Sequence, residues 1–219
     1  FAQRAIIAAA LADGVSHLKG YTPCGDNEAA LQVARNLGAQ VQVDGSQVTI
    51  KGIAAKSGSY GNPVLHVGES GLLTRMMIPL MAQLSDKPVT FTGEKTLLGR
   101  PLTGAKEILE AFAVEGQDII RSVSDQGEAA GQGEVSDVIR VPLKVTGPLK
   151  AGRAEVSGKH GSQLISGLLM ALPFAEKNSS LIVHEPKSIP YIFITLEVLK
   201  KFGLKIGNEM LGGRDFLES

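Results

Sequence analysis

Apolar residues recur at i, i+3, i+4 and i+7 in three places along the chain. The first is Ala30, Val33, Ala34 and Leu37, and the second is Ala105, Ile108, Leu109 and Phe112. The third, Thr195, Val198, Leu199 and Phe202, has one polar member. Each stripe predicts the buried face of an amphipathic helix. Gly38 and Gly203 follow the first and third stripes at once, where a left-handed residue stops a helix; Ala113 at the second makes it the weak copy. Ahead of each stripe the pattern predicts a more uniformly apolar helix and then a strand. These helices cover residues 2–12, 72–84 and 162–174, and the strands cover 16–19, 89–92 and 180–184. Strand material follows the stripes at 40–43 with 47–51 and at 117–121 with 138–146, and the third copy fades after 204–206.

Three copies of one helix–strand unit make an α/β (α+β) fold of βαβαββ-like repeats. The units are expected at about residues 1–53, 63–145 and 153–206, closed around a pseudo-threefold axis with helices inside. Residues 1–206 then form one domain, and 207–219 a tail toward a second domain. Residues 122–137, small, polar and rich in Gly, read as a mobile loop or hairpin tip. The chain opens at Phe1 without a Met, inside a predicted helix, and is expected to be a piece of a longer protein.

Composition narrows the function classes. With 219 residues, 43% hydrophobic and 20% charged, the chain has room for a sizeable core and falls outside the disordered class. Lysine and arginine number 22 against 22 acids, which argues against a general nucleic-acid binder but leaves room for a local basic pocket. The longest apolar run, residues 5–12, is too short to cross a membrane. Cys24 is the one cysteine; it forbids an internal disulfide, fits a cytoplasmic location, and lacks a CxxC partner, so it is expected to be a small buried residue.

Standard motifs mostly fail. Gly147 to Gly152 has P-loop spacing, but Arg153-Ala154 follows where a Lys and a hydroxyl are needed. His17, His66, His160 and His184 lack metal-ligand spacing, and His17 and His184 sit in predicted strands as structural residues. No metal or cofactor is expected. Polar residues recur instead near helix starts. Arg4 and Arg75 lie early on first helices, and Ser162-Gln163 opens another. Arg100 precedes Pro101, a residue suited to the first helical position, and Ser188 leads to Tyr191 at the start of the last long helix. Helix N-termini favour anions, and hydroxyls or Arg strengthen them. Ser162 and Ser188 taken singly read as ordinary N-caps, and Lys159, His160 and Lys187 as solvated turn residues. Their recurrence in three copies points to an anion-binding pocket.

These residues are where the chain resembles the 3-phosphoshikimate 1-carboxyvinyltransferase (EPSP synthase) family, over residues 1–206. The resemblance is carried by Ala2-Gln-Arg4, Gly68-Glu-Ser-Gly71 with Arg75, Arg100-Pro-Leu, Ser162-Gln163, and Ser188-Ile-Pro-Tyr191, all in the family's order. It implies half of a two-domain enzyme of the shikimate pathway of aromatic amino acid biosynthesis. That enzyme passes the enolpyruvyl group of phosphoenolpyruvate to the 5-hydroxyl of shikimate 3-phosphate. By resemblance, Arg4 contacts shikimate, Ser162 and Ser188 hold its phosphate, Gln163 bridges both substrates and Tyr191 packs by the ring. Gly71 and Arg100 shape the phosphoenolpyruvate side, and Arg75 belongs to the pocket wall. The proton-transfer groups belong to the other, C-terminal domain, so no catalytic residue is assigned here and the chain alone is expected to be inactive. Three positions depart from the family: Glu69 for a common Asn, which puts negative charge near an anion site, Leu72 for Thr, and Gly161 for a second Ser. Two other readings stand beside this one. UDP-N-acetylglucosamine enolpyruvyl transferase shares the repeat but carries its reactive Cys in the second unit, whereas Cys24 lies in the first. A non-catalytic repeat module would need interface aromatics, which make up only 5% here.

Overall fold

The computed structural model describes residues 1–114, 117–123, 138–211 and 214–218. Three helices are apolar over most of their surface and are correspondingly enclosed: α1 (Ala2–Leu11), α3 (Gly71–Leu84) and α6 (Gln163–Ala171). In α1 every residue from Gln3 to Leu11 is buried. The backbone of α6 lies close on α3, because Gly167 has no side chain; a Cβ there would sit 2.7 Å from the Met76 carbonyl oxygen. Three others, α2 (Gly25–Asn36), α5 (Ala105–Glu110) and α7 (Ile189–Lys201), bury one face, which is the predicted stripe with Leu31 added on α2 and Ile192 on α7, while Phe202 is half-buried. Phe112, at the end of the second stripe, is fully enclosed, and burying a side chain of that size stabilises by about 1.5–3 kcal/mol. One continuous core joins all six helices. Gly38 and Gly203 do take positive φ, +104° and +87°.

The sheets repeat one plan. In the first, β1 (Val15–Lys19), β2 (Gln40–Asp44) and β3 (Gln47–Lys51) pair antiparallel in the order β1-β3-β2. In the second, β4 (Val64–His66), β5 (Val89–Thr92), β6 (Ile120–Ser122) and β7 (Leu143–Val145) lie in the order β4-β5-β7-β6, with β4 parallel to β5. The third places β8 (Arg153–Ser157), β9 (Ser180–His184), β10 (Gly207–Leu211) and β11 (Arg214–Glu218) as β8-β9-β11-β10, with β8 parallel to β9.

The structure corrects several expectations. The chain does not fade after residue 206 but continues as β10 and β11, which complete the third sheet. Pro101 opens no helix. Arg100 is extended, as the residue before a proline tends to be, and the Leu102 N–H bonds to the Ile139 carbonyl. The helix starts only after Gly104, whose φ of +76° turns the chain. Arg100 instead ends a short helix the pattern did not predict, α4 (Thr96–Gly99). The strand expected at 138–146 contracts to β7, because Pro142 has no N–H to donate. Cys24 is exposed, not buried. His17 and His184 do lie in strands, against Thr49 and Glu155. Most of the loop expected at 122–137 lies outside the described residues. No described helix is long and apolar enough to cross a membrane.

Candidate functional site

The starts of the three central helices lie side by side, tied by side chains of α1. Gln3 donates to the hydroxyl of Ser70, the N-cap of α3, at 2.8 Å and to the Asp26 carbonyl at 2.9 Å. Arg4, only 2% exposed, donates from Nε to the Thr195 hydroxyl on α7 at 2.8 Å. Its Nη2 donates to the Ser166 hydroxyl on α6 at 3.2 Å. The two hydroxyls are 2.8 Å apart, and Thr195 gives its hydrogen to the Tyr191 carbonyl at 3.0 Å. Ser166 must therefore donate to Thr195, and both oxygens accept from the guanidinium. Arg4 thus rests on neutral hydroxyls, with no carboxylate to balance it among the described residues. Burial pulls its guanidinium below the usual range, partly offset by nearby Tyr191. A buried cation without a counter-ion is costly to a fold unless an anion completes it.

The predicted residues stand at the starts of the two helices that hold this arginine, with Ser162 one turn before Ser166 and Tyr191 one turn before Thr195. The loop between β8 and α6 and the loop between β9 and α7 are laced by the backbone. Gly158 N–H reaches the His184 carbonyl at 2.7 Å, and Lys187 N–H reaches the Gly158 carbonyl at 3.2 Å. This lacing sets Ser162 and Gln163 at the start of α6 beside Ser188 at the start of α7. Ser162 and Ser188 stand at N-cap positions, yet neither side chain bonds its own helix, which corrects the reading of them as ordinary caps. Ser188 has φ +58° and ψ +36°, a left-handed conformation that costs a non-glycine residue strain. Tyr191, one turn into α7, is 54% exposed.

A second cationic cluster forms at the start of α3. Arg75 donates to the Gly71 carbonyl at 3.2 Å and to the Pro101 carbonyl at 3.0 Å. Burial, and then the nearby Arg100, pull its guanidinium down. Arg100 is exposed, and its side chain makes no hydrogen bond among the described residues. Glu69 does not stand as an uncompensated charge here, because its carboxylate pairs with Lys95 at 2.9 Å. Two backbone bonds hold the turns that carry them, Val67 N–H to the Thr92 carbonyl and Glu94 N–H to the Gly68 carbonyl. A cavity of about 720 Å³ opens beyond this pair, lined among others by Cys24, Asp26, Arg35 and His66. None of the seven predicted site residues lines it.

The structure therefore brings Arg4, Ser162, Gln163, Ser188 and Tyr191 together on one side, and Gly71 and Arg100 together at α3. Gln3 and Ser70 link α1, whose next residue is Arg4, to the start of α3. Sequence reasoning assigned no role to Gln3, Ser166, Thr195 or Lys95. A signal existed for two of them: Thr195 is the polar member of its stripe, and Ser166 interrupts an apolar helix.

Comparisons with known proteins converge on one family. The model of the family described as EPSP synthase (3-phosphoshikimate 1-carboxyvinyltransferase) matches residues 1–212. A 3-phosphoshikimate 1-carboxyvinyltransferase from Clostridium novyi is 33% identical over 215 residues, covering 94% of this chain and 45% of the relative. One from Methanococcus maripaludis strain C6 is 29% identical over 208 residues, covering 94% of this chain and 44% of the relative. The chain thus spans somewhat under half the length of the curated relatives it matches. Among solved structures, EPSP synthase from Acinetobacter baumannii superposes with a TM-score of 0.69 at 24% identity, over 99% of this chain and 44% of that one, which supports the fold. With a family model that runs through both arginine clusters, the chain belongs to the EPSP synthase family.

Proposed function

We propose that this chain is the shikimate 3-phosphate-gripping half of an enzyme that transfers the enolpyruvyl group of phosphoenolpyruvate to the 5-hydroxyl of shikimate 3-phosphate. The observation that carries the reading is Arg4, a buried guanidinium held by Ser166 and Thr195 with no acidic partner among the described residues. In this reading the phosphate of shikimate 3-phosphate lies against the starts of α6 and α7. Ser162 and Ser188, whose hydroxyls are not spent on caps, donate to it, and the free N–H groups and dipole of each helix add attraction. Arg4 holds the shikimate hydroxyls or carboxylate, Tyr191 covers the ring, and Gln163 bridges to phosphoenolpyruvate beside Gly71 and Arg100. Phosphate leaves phosphoenolpyruvate as its enolpyruvyl carbon bonds to the 5-oxygen. The groups that move protons belong to the remainder of the protein, so this chain, whose third unit runs on through β11, binds as one domain of three units and does not turn over alone. The compartment we propose is the cytoplasm.

Calorimetric titration with shikimate 3-phosphate, shikimate and UDP-N-acetylglucosamine tests this directly. Saturable binding of the first, with much weaker binding of the second and none of the third, is expected. Preference for the UDP-sugar would move the chain to the sister activity, and binding of none of them would leave a structural module.

A further inference from the structure

The turn that leads into Ser162 and Gln163 is anchored from two sides. Within its own unit, Gly158 is laced to the loop before α7, and the Gly161 N–H closes the turn on the Gly158 carbonyl at 3.1 Å. From the second unit, the turn is met by the start of α5. The ring of His160 packs on the backbone of Gly104, where an added Cβ would stand 2.4 Å from the ring's Cδ2 and 2.7 Å from its Cγ. Nε2 of the same ring lies 3.6 Å from a carboxylate oxygen of Glu107, the third residue of α5, and Nζ of Lys159 lies 3.5 Å from that oxygen. The turn itself is exposed, yet the His160 side chain is only 23% exposed. It is therefore not the solvated turn residue that its surroundings in the sequence suggest.

This contact joins the two sides of the candidate site. Gly161, with φ +100°, passes the chain from His160 directly to Ser162 and Gln163. Gly104 follows Arg100 by four residues, and the segment between them is held at two points. Arg75 donates to the Pro101 carbonyl at 3.0 Å, and the Leu102 N–H bonds to the Ile139 carbonyl at 2.8 Å. With both ends fixed in this way, the place of the His160 ring sets the start of α6 relative to Arg100.

We propose that His160 is a positioning residue for the reaction: packed on Gly104 and paired with Glu107, it holds Ser162 and Gln163 in register with Arg100. The inference rests on the substrate reading above. His160 touches neither substrate and acts through Ser162 and Gln163. An exposed ion pair contributes little by itself, so the packed ring carries most of the effect. A shift of about 1 Å in groups that position a substrate can cost roughly a hundredfold, so even a partial loosening of this turn is measurable.

The full-length protein tests this as parent, His160→Ala and His160→Phe. Steady-state kinetics vary shikimate 3-phosphate and phosphoenolpyruvate in turn, and hydrogen exchange of the ligand-free protein follows residues 161–163, with β9 as control. His160→Ala is expected to raise the KM for shikimate 3-phosphate about fivefold or more, and that for phosphoenolpyruvate by a smaller factor through Gln163. Exchange at 161–163 should quicken while β9 and the melting temperature hold. His160→Phe, which returns a ring to Gly104, should recover most of both losses. Parental KM values in His160→Ala overturn the proposal, as does a His160→Phe variant no better than His160→Ala. A fall in melting temperature with both KM values unchanged also overturns it, and leaves His160 to the fold alone. The two readings fail separately. A parent that does not bind shikimate 3-phosphate overturns the substrate reading and this proposal with it, whereas a parent that binds it, beside a His160→Ala variant that binds equally, overturns this proposal only.

Discussion

Replacing Ser162 with Asp separates a cap from a ligand. Ser162 sits at the N-cap position of α6 with φ −90° and ψ −5°, outside the extended region that a capping side chain uses, and its hydroxyl makes no capping bond. Asp has no cap to lose there and meets the favourable end of the helix dipole, so the melting temperature is expected to stay level or rise slightly. Binding of shikimate 3-phosphate is expected to respond very differently. A carboxylate about 5 Å from the phosphate, at an effective dielectric of about 20, repels each phosphate charge by roughly 3 kcal/mol, and about 1.4 kcal/mol is tenfold in affinity. Ser162→Asp should therefore weaken binding by about a hundredfold or more. Ser162→Ala, which only removes a bond to a charged group worth about 1.5–3 kcal/mol, should weaken it by about tenfold or more. Calorimetry on both variants, with unphosphorylated shikimate as control, reads these differences. Parental affinity in Ser162→Asp, or a loss for shikimate as large as for its phosphate, would refute the placement.

Three further outcomes are expected. In the full-length enzyme, Arg100→Ala should raise the KM for phosphoenolpyruvate far more than that for shikimate 3-phosphate and leave the melting temperature unchanged, because its exposed side chain bonds to nothing described; a collapse in melting temperature would mark it as structural. Lys95→Ala should weaken phosphoenolpyruvate binding by uncovering Glu69, and adding Glu69→Gln should restore it; a double variant no better than the single contradicts this. Burial and then the bond to Glu28 push the Tyr21 phenol up to about 12 from 10.0, so its contribution to stability is complete below pH 10 and is lost as pH rises toward about 12; denaturant melts across that range should lose this slope in Tyr21→Phe.

Much of the fold was legible because period and burial agree. The stripes at Ala30, Ala105 and Thr195 proved to be the inward faces of α2, α5 and α7, and the strands at 89–92 and 180–184 stand where the pattern put them. What escaped was short or defined by a partner. The strand β4 has three residues and gains its conformation from β5, while β10 and β11 exist because β9 offers an edge. Pro101 misled because its helix propensity yielded to a bond between Leu102 and Ile139, a contact from another part of the chain. Cys24 misled because its burial preference carries no information about a loop at a helix start. For the site, the types of residue at helix starts were readable, but their convergence was not. That Arg4 of the first unit rests on Ser166 and Thr195 of the third follows only from closing the repeats into a ring.

The most direct test of the account is Arg4→Met, read by melting temperature and shikimate 3-phosphate titration on the same sample. Without the guanidinium, Ser166 and Thr195 still satisfy each other and the Tyr191 carbonyl, so no buried polar group is orphaned. Removing an unbalanced buried charge in favour of an apolar side chain of similar length is neutral or stabilising. The account predicts a melting temperature that holds or rises while affinity for shikimate 3-phosphate falls by about a hundredfold or more. A protein that melts many degrees lower yet binds shikimate 3-phosphate as before would contradict it, and Arg4 would then serve the fold alone.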